Sequence, residues 1–269
     1  MNLVSKRVFL LDMDGTFYLG DKILPGSLDF IRTLERQHKL FFFLTNNSSR
    51  NSVFYARKLQ QMGLQSIHPD QIITSGEVCA WYLKRQFPTG RIYLLGTKEL
   101  AMDFMREGLT LVQVKPDGIV LGFDKTLTYE KVKTACTFLR KGIPFFATHP
   151  DLNCPTETGP IPDIGSMIKM MVASTGVKPK IFGKPYPDIV EYVISKTHVS
   201  QEELVMVGDR LYTDIAMGKE SGITTILVLS GETRREDLTD SPWKPDHIFP
   251  TLGDVGASLE SELNSSFPP

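Results

Sequence analysis

Residues 7–12 (RVFLLD) and 39–45 (KLFFFLT) are short, almost continuously apolar runs that end in polar residues. A strand covered on both faces has no polar side to show, so continuous rather than alternating apolarity predicts central strands of a parallel sheet. Between them Leu28, Ile31 and Leu34 recur at helical spacing, which predicts a helix from Gly26 to Gln37. A second helix is expected over 51–62, with Gly63 as its C-terminal cap. The same grammar returns near the end of the chain. A turn at Ser200 and Glu203 leads into a strand over 204–208, then a short helix from Asp214 to Ser221, a buried strand from Thr224 to Leu229 and an edge strand from His247 to Phe249. Alternating strands and helices predict a right-handed, doubly wound α/β sheet of the Rossmann-like kind, whose ligands bind beyond the carboxyl ends of the strands.

The two halves are separated by a segment with its own alternation. Helices are expected at 77–86, 98–107, 129–141 and 164–175, and strands at 91–95, 117–121 and 143–147. These carry enough apolar residues for a core of their own, so the pattern predicts a split core, residues 1–77 and 182–269, with a second α/β domain, 78–181, inserted in it. The loop 150–162 (PDLNCPTETGPIP) is long and rich in turn residues, which marks it as more than a connector. The last residues, SELNSSFPP, read as a frayed tail.

Composition narrows the partners. Thirty Lys plus Arg against 31 Asp plus Glu leave a net charge of -1, with no basic field for a nucleic-acid backbone and no polybasic anchor for anionic lipid. The apolar run VFLL is stopped by Asp12 and Asp14, too early for a signal peptide or a membrane span. Three cysteines, Cys79, Cys136 and Cys154, without paired short spacings, fit a reducing compartment, and the cytoplasm is the expected location.

The candidate chemistry sits where the apolar runs end. Asp12 and Asp14, in DMDGT, are separated by one residue of extended chain and therefore point to one side at a strand's carboxyl end. Two close carboxylates raise one another's pKa unless a hard divalent cation holds them ionised, and Gly15 permits the sharp turn that follows. Thr45-Asn46-Asn47-Ser48-Ser49 offers a hydroxyl and successive N–H groups before a helix, a setting for an oxyanion. Gly208-Asp209-Arg210-Leu211-Tyr212-Thr213-Asp214 adds two carboxylates on a strand-to-helix turn, and Gly183-Lys184-Pro185 adds an ammonium. Each alone has a plain reading as a polar turn, a helix cap or a solvated charge, but together they converge on one sheet edge.

DxDGT, TNN, GKP and GDxxxxD in this order resemble the four motifs of the haloacid dehalogenase (HAD) superfamily. The insert, with Ala147-Thr148-His149-Pro150-Asp151 and Pro155-Thr156, resembles the C2-capped group of NagD and para-nitrophenyl phosphatases. His149 departs from that group's usual Asn, and Pro162-Asp163-Ile164-Gly165-Ser166 from a usual PGAGS-like segment, which puts the substrate rather than the reaction in question. The resemblance implies a Mg²⁺-dependent phosphatase for a small phosphorylated metabolite. In it Asp12 attacks phosphorus to give an aspartyl-phosphate and Asp14 serves as acid and then base. It further implies that the Asp12 carboxylate, the Asp14 carbonyl and Asp209 hold the Mg²⁺, that Thr45, the Asn46 N–H, Asn47 and Lys184 meet the phosphate, and that Asp214 stands behind them. The insert becomes a substrate-specificity cap, with His149, Asp151, Asn153 and Cys154 as candidate substrate contacts and a sheet face suited to self-association. Asp at position 14 favours phosphatase over dehalogenase, since a halide leaving group needs no proton.

Other readings fit less well. A receiver domain is about half this length and has no insert. The Gly183-Lys184 pair lacks the P-loop's upstream Gly and has Pro185 where Ser or Thr is required. Same-face carboxylates on one strand are too close to flank a glycosidic bond. The five histidines show no zinc spacing. The remaining alternative is a catalytically silent binding or scaffolding protein on the same fold.

Overall fold

In the computed structural model, which describes residues 3–156 and 158–266, strands and helices alternate along the chain. Strand β1 (Val8–Asp12) leads through a small hairpin, β2 (Tyr18–Leu19) and β3 (Lys22–Ile23), to helix α1 (Ser27–Arg36), then β4 (Leu40–Thr45), α2 (Ser52–Gln61), β5 (Ile72–Thr74) and α3 (Ser75–Gln86). The middle of the chain adds β6 (Arg91–Leu95), α4 (Lys98–Arg106), β7 (Thr110–Leu111), β8 (Gly118–Leu121), α5 (Tyr129–Leu139) and β9 (Phe145–Ala147). There follow the hairpin β10 (Asn153–Cys154) and β11 (Ile161–Pro162), α6 (Ile164–Thr175) and β12 (Lys180–Ile181). The closing stretch is α7 (Asp188–Thr197), β13 (Leu204–Gly208), α8 (Ala216–Glu220), β14 (Thr224–Val228), β15 (His247–Phe249) and α9 (Leu252–Ser266).

The first sheet has the order β15-β14-β13-β1-β4-β5. Its register sets Leu11 beside Val207 and Asp12 beside Leu44, all in parallel pairing. Val8 to Leu11 and Leu204 to Val207 are fully buried, as their unbroken apolarity requires. Phe30, Ile31 and Leu34 form the buried face of α1, and Phe30 meets Phe9 edge-on at 6.0 Å between ring centroids. The second sheet has the order β12-β9-β8-β6-β7, again parallel, and packs α5 and α6 over a core that includes Leu95, Ile119, Leu121, Phe123, Phe145 and Met171.

Contacts divide the described residues into two units. One takes residues 3–44, 56–72 and 190–266, the other 45–55 and 73–189. Parallel sheets with flanking helices therefore appear in both units, as the alternation predicts. Strands β5, β7 and β12, two or three residues each, are too short to carry a pattern of their own.

Two expectations change. The helix expected from Asp214 to Ser221 begins earlier, as a π-helical turn over Leu211–Ile215, and only then becomes α8. The wider turn has a local cause, because the backbone N–H groups of Asp214 and Ile215 both donate to the Arg210 carbonyl, at 3.1 and 3.2 Å. The expected tail is helical to Ser266, since Leu252, Val255 and Leu259 bury an apolar face and Gly256 lies against Phe30. Phe267 to Pro269 lie outside the described residues.

One buried acid makes the second unit sensitive to pH. Asp103 on α4 is pushed up to about 7 by burial, with Arg106 pulling it down and Glu77 raising it further. A carboxyl whose folded pKa lies above its unfolded value binds more protons when folded, so its penalty is absent below about pH 4 and grows as pH rises towards 7. Asp103→Asn is expected to stabilise the protein by about 1–2 kcal/mol at pH 8 and to change little at pH 4. Urea unfolding at both pH values checks the difference, and equal shifts at both would contradict it.

Candidate active site

The carboxyl ends of β1 and β13 lie side by side, where connections leave the first sheet in opposite directions. That is the switch point at which an open α/β sheet leaves a crevice. Asp12, Asp209 and Asp214 converge there, all buried, with one carboxylate oxygen from each within 4.8 Å of the others. Asp209 follows β13 directly, and Asp214 is carried back to the cluster by the π-helical turn, where its Oδ2 accepts the Arg210 N–H at 3.1 Å.

Asp209 is cradled on every side. Its Oδ1 accepts from the Thr16 hydroxyl at 3.2 Å and its Oδ2 from the Glu232 N–H at 2.7 Å. A Cβ at Gly231 would lie 2.0 Å from Asp209 Oδ2, and one at Gly15, which has φ +90°, would lie 2.5 Å from it. Only glycine lets the two loops close on this carboxylate. Burial, followed by the charges of Asp12 and Asp214, pushes Asp209 up to about 7. The Arg210 guanidinium, ion-paired to Glu232 at 2.8 Å, offsets part of the negative charge and is itself held further towards its protonated form by Asp12, Asp209 and Asp214.

Asp14 has a different setting. It is exposed, yet partial desolvation and then the Asp12 charge raise its pKa, against the pull of Arg210 and Lys58. Lys58 lies over the Tyr18 ring at 4.2 Å and donates to the Gly20 carbonyl at 3.1 Å, which anchors it in the turn after β1. Two neighbouring aspartates therefore sit in unlike environments, one buried among carboxylates and one at the surface with a raised pKa.

The other candidates belong to the second unit. Thr45 ends β4, and its Oγ1 accepts the Asn47 N–H at 3.1 Å, leaving its own O–H to donate. The Asn47 side chain is taken up locally, accepting from the Ser49 N–H at 3.0 Å and the Ser49 hydroxyl at 2.7 Å. Asn46 is buried and joined to the backbone of buried Lys184. His149 has 0% of its surface exposed and its Nε2 pairs with Asp163 Oδ1 at 3.0 Å. Cys154 is half-buried in β10, with Sγ towards the Pro155 carbonyl at 3.6 Å. Asp214, expected to stand behind the ligands, has its carboxylate in the cluster itself.

Sequence reasoning passed over Arg210, Thr16, Lys58 and the Ser230-Gly231-Glu232 turn. The last carried a usable signal, since it follows the apolar strand next to β13, and Ser230 Oγ donates to the Gly15 carbonyl at 2.9 Å.

Comparison with known proteins gives the family. Residues 9–110 match the family described as haloacid dehalogenase-like hydrolase, and residues 181–255 a HAD-hydrolase-like family. The 5'-nucleotidase YutF of Bacillus subtilis is 34% identical over 244 residues, 91% of this chain and 95% of that one. This chain belongs to the haloacid dehalogenase-like hydrolase family. An acid sugar phosphatase of Staphylococcus epidermidis is 33% identical over 255 residues, covering 94% and 98% of the two chains. The crystal structure of a 4-nitrophenylphosphatase from Thermotoga maritima superposes with a TM-score of 0.92 at 49% identity, over 96% of this chain and 98% of that one. The chain is a phosphatase of this family. No helix among the described residues is long and apolar enough to cross a membrane.

The haloacid dehalogenase-like cluster suits a hard divalent cation. Its donors are all carboxylate oxygens, and three carboxylates share one buried space. Adding Mg²⁺ is expected to raise the thermal midpoint, as binding to the folded state alone must, and Asp209→Asn to remove most of that rise. Gly231→Ala, which crowds Asp209, is expected to blunt it as well. Calorimetry with and without metal checks this, and an undiminished rise in Asp209→Asn would place the cation elsewhere.

Proposed function

We propose that this haloacid dehalogenase-like phosphatase is a Mg²⁺-dependent phosphomonoester hydrolase of small phosphorylated metabolites, working through an aspartyl-phosphate at Asp12. The observation that carries the reading is the unlike placement of Asp12 and Asp14 at the end of β1. Two carboxylates in different environments can take different roles, and here the roles follow the environment.

Asp12 is buried with Asp209 and Asp214, where its charge is confined and its oxygens are fixed by the strand end. Its carboxylate attacks phosphorus, the ester oxygen leaves, and water later cleaves the acyl phosphate, so one difficult hydrolysis becomes two displacements. Asp14, with its raised pKa, retains its proton closer to neutrality and can give it to the leaving oxygen, then take one from the attacking water. Asp12, the Asp14 carbonyl and Asp209 would hold the Mg²⁺, with Asp214 beside them. When bound, the ion neutralises carboxylate charge and polarises the phosphoryl oxygens.

Thr45, the Asn46 N–H, Asn47 and Lys184 are assigned to the phosphate on the order of the motifs. Residues 78–181 are assigned to substrate choice as a cap, on the same ground. The relatives carry the names of a 5'-nucleotidase, an acid sugar phosphatase and a 4-nitrophenylphosphatase, which supports a range of small phosphomonoesters rather than a single one. A cytoplasmic setting and self-association through the cap complete the proposal.

Purified protein is expected to release phosphate from 4-nitrophenyl phosphate with Mg²⁺ and to lose activity when EDTA removes the metal. Asp12→Asn is expected to lower turnover at least about 10³-fold and Asp14→Asn about 10²–10⁴-fold. Turnover that survives Asp12→Asn would sink the covalent route. A panel of sugar phosphates and nucleotides then ranks substrates by kcat/KM.

A further inference from the structure

Asn46 enters the phosphate-binding proposal only through its backbone N–H, yet its buried side chain grips the residue that would supply the ammonium. Oδ1 accepts the Lys184 N–H at 2.7 Å, and Nδ2 donates to the Lys184 carbonyl at 2.9 Å. The same Nδ2 donates to both oxygens of Asp151, each at 3.2 Å, and the Asn46 carbonyl accepts the Ser75 hydroxyl at 2.5 Å. Resting on the assignment of Lys184 to the phosphate, we propose that Asn46 is the positioning residue for Lys184 and that Asp151, from the long loop, fixes the direction of the Asn46 amide.

The amide has only one orientation its neighbours accept. The Lys184 N–H can only donate, while the Asp151 carboxylate and the Lys184 carbonyl can only accept. Turning the amide over would set NH₂ against N–H and oxygen against both acceptors. Asp151 therefore does more than fill space, because its charge decides which end of Asn46 faces it. With both its N–H and its C=O held, residue 184 has its Cα–Cβ direction set, and the ammonium sweeps a narrower arc.

The surroundings are shaped for this grip. Gly183 has φ +76°, and a Cβ there would lie 2.7 Å from Asn46 Oδ1 and 2.9 Å from the Thr148 carbonyl. A side chain at 183 would push the Lys184 backbone off the amide. Asp151 is in turn tied to the start of α6, where the Gly165 N–H donates to the Asp151 carbonyl at 2.7 Å. A Cβ at Gly165 would lie 2.2 Å from the Pro150 carbonyl. The loop's conformation thus reaches Lys184 through one side-chain amide, a coupling absent from the motif pattern.

The full chain is tested as Asn46→Asp, Asp151→Asn and the exchange of the two residues in one chain. Three quantities are measured: KM for 4-nitrophenyl phosphate, the inhibition constant of inorganic phosphate, and the rate at which Lys184 is acylated, read by mass spectrometry. Asn46→Asp opposes two carboxylates, so KM and the phosphate constant are expected to rise about 10–100-fold and the acylation rate to change by more than about threefold. The exchange restores a donor facing an acceptor between positions 46 and 151 and keeps an acceptor for the Lys184 N–H. It is expected to recover at least about fivefold of the loss, with kcat moving less than KM. A merely structural Asn46 would lower the thermal midpoint while leaving the phosphate constant and Lys184 acylation within twofold, and that result overturns the proposal, as does an exchange whose losses simply add. Should Asn46→Asp fail to fold, Asp151→Asn alone must shift both the phosphate constant and the acylation rate about threefold or more, or the proposal falls. If the wild type hydrolyses no phosphate ester, the phosphatase mechanism fails, while Lys184 acylation across the variants still decides whether Asn46 and Asp151 hold it.

Discussion

Three carboxylates confined at the ends of two neighbouring parallel strands repel one another, and much of the first unit is arranged to hold them there. At 4.8 Å and a protein-like dielectric, each pair of full charges would oppose the arrangement by roughly 3 kcal/mol. The raised pKa of Asp209 is the same repulsion and desolvation expressed as proton affinity. What opposes it is visible residue by residue. Strand register fixes Asp12 beside Leu44, the Thr16 hydroxyl and the Glu232 N–H bind Asp209, and Arg210 adds a cation from within the same loop. Such a site stores electrostatic free energy that a hard cation can release, so the acidic cluster and the expectation of metal dependence are two descriptions of one constraint.

The sheet explains why this constraint can be met at all. Parallel strands bring several loops to one edge, and a central pair buried on both faces leaves its backbone no freedom to relax away from crowding. Gly15 and Gly231 allow the loops after β1 and β14 to close on Asp209, while the π-helical turn after β13 gives Asp214 the extra reach to join it. Asp14 escapes the crowd by one residue. Its exposure, with the partial desolvation that still raises its pKa, sets it apart from Asp12 within the same tripeptide.

Most of the fold was legible because long apolar runs and helical spacing leave few options. The central strands at 8–12 and 204–208, and helix 164–175, fall within a residue or so of their expected limits. The acidic cluster was legible in part, since DMDGT and GDRLYTD end apolar runs. Its third member, Asp214, is placed by a π-helical turn that period alone cannot announce, since it depends on two N–H groups sharing the Arg210 carbonyl. The helix to Ser266 was hidden by the polar residues of SELNSS, although Val255 and Leu259 supply the face that docks on α1. The grip of Asn46 on Lys184 could not be read, because 138 residues of sequence separate the two.

The departures at 149 and 163 show how two sequence oddities become one physical fact. Taken singly, His149 is a bulky polar ring where an Asn is usual, and Asp163 is a charge in a segment of small residues. In the fold both are buried, and His149 Nε2 meets Asp163 Oδ1 at 3.0 Å while the same oxygen accepts the Ile164 N–H at 2.7 Å to start α6. Neither residue is easily kept without the other, because removing one partner of a buried hydrogen bond leaves a polar group whose desolvation is uncompensated. The pair also stitches the beginning of the long loop to its end, so that Asp151, two residues beyond His149, has a fixed frame from which to face Asn46. The two departures act together on how the loop is held.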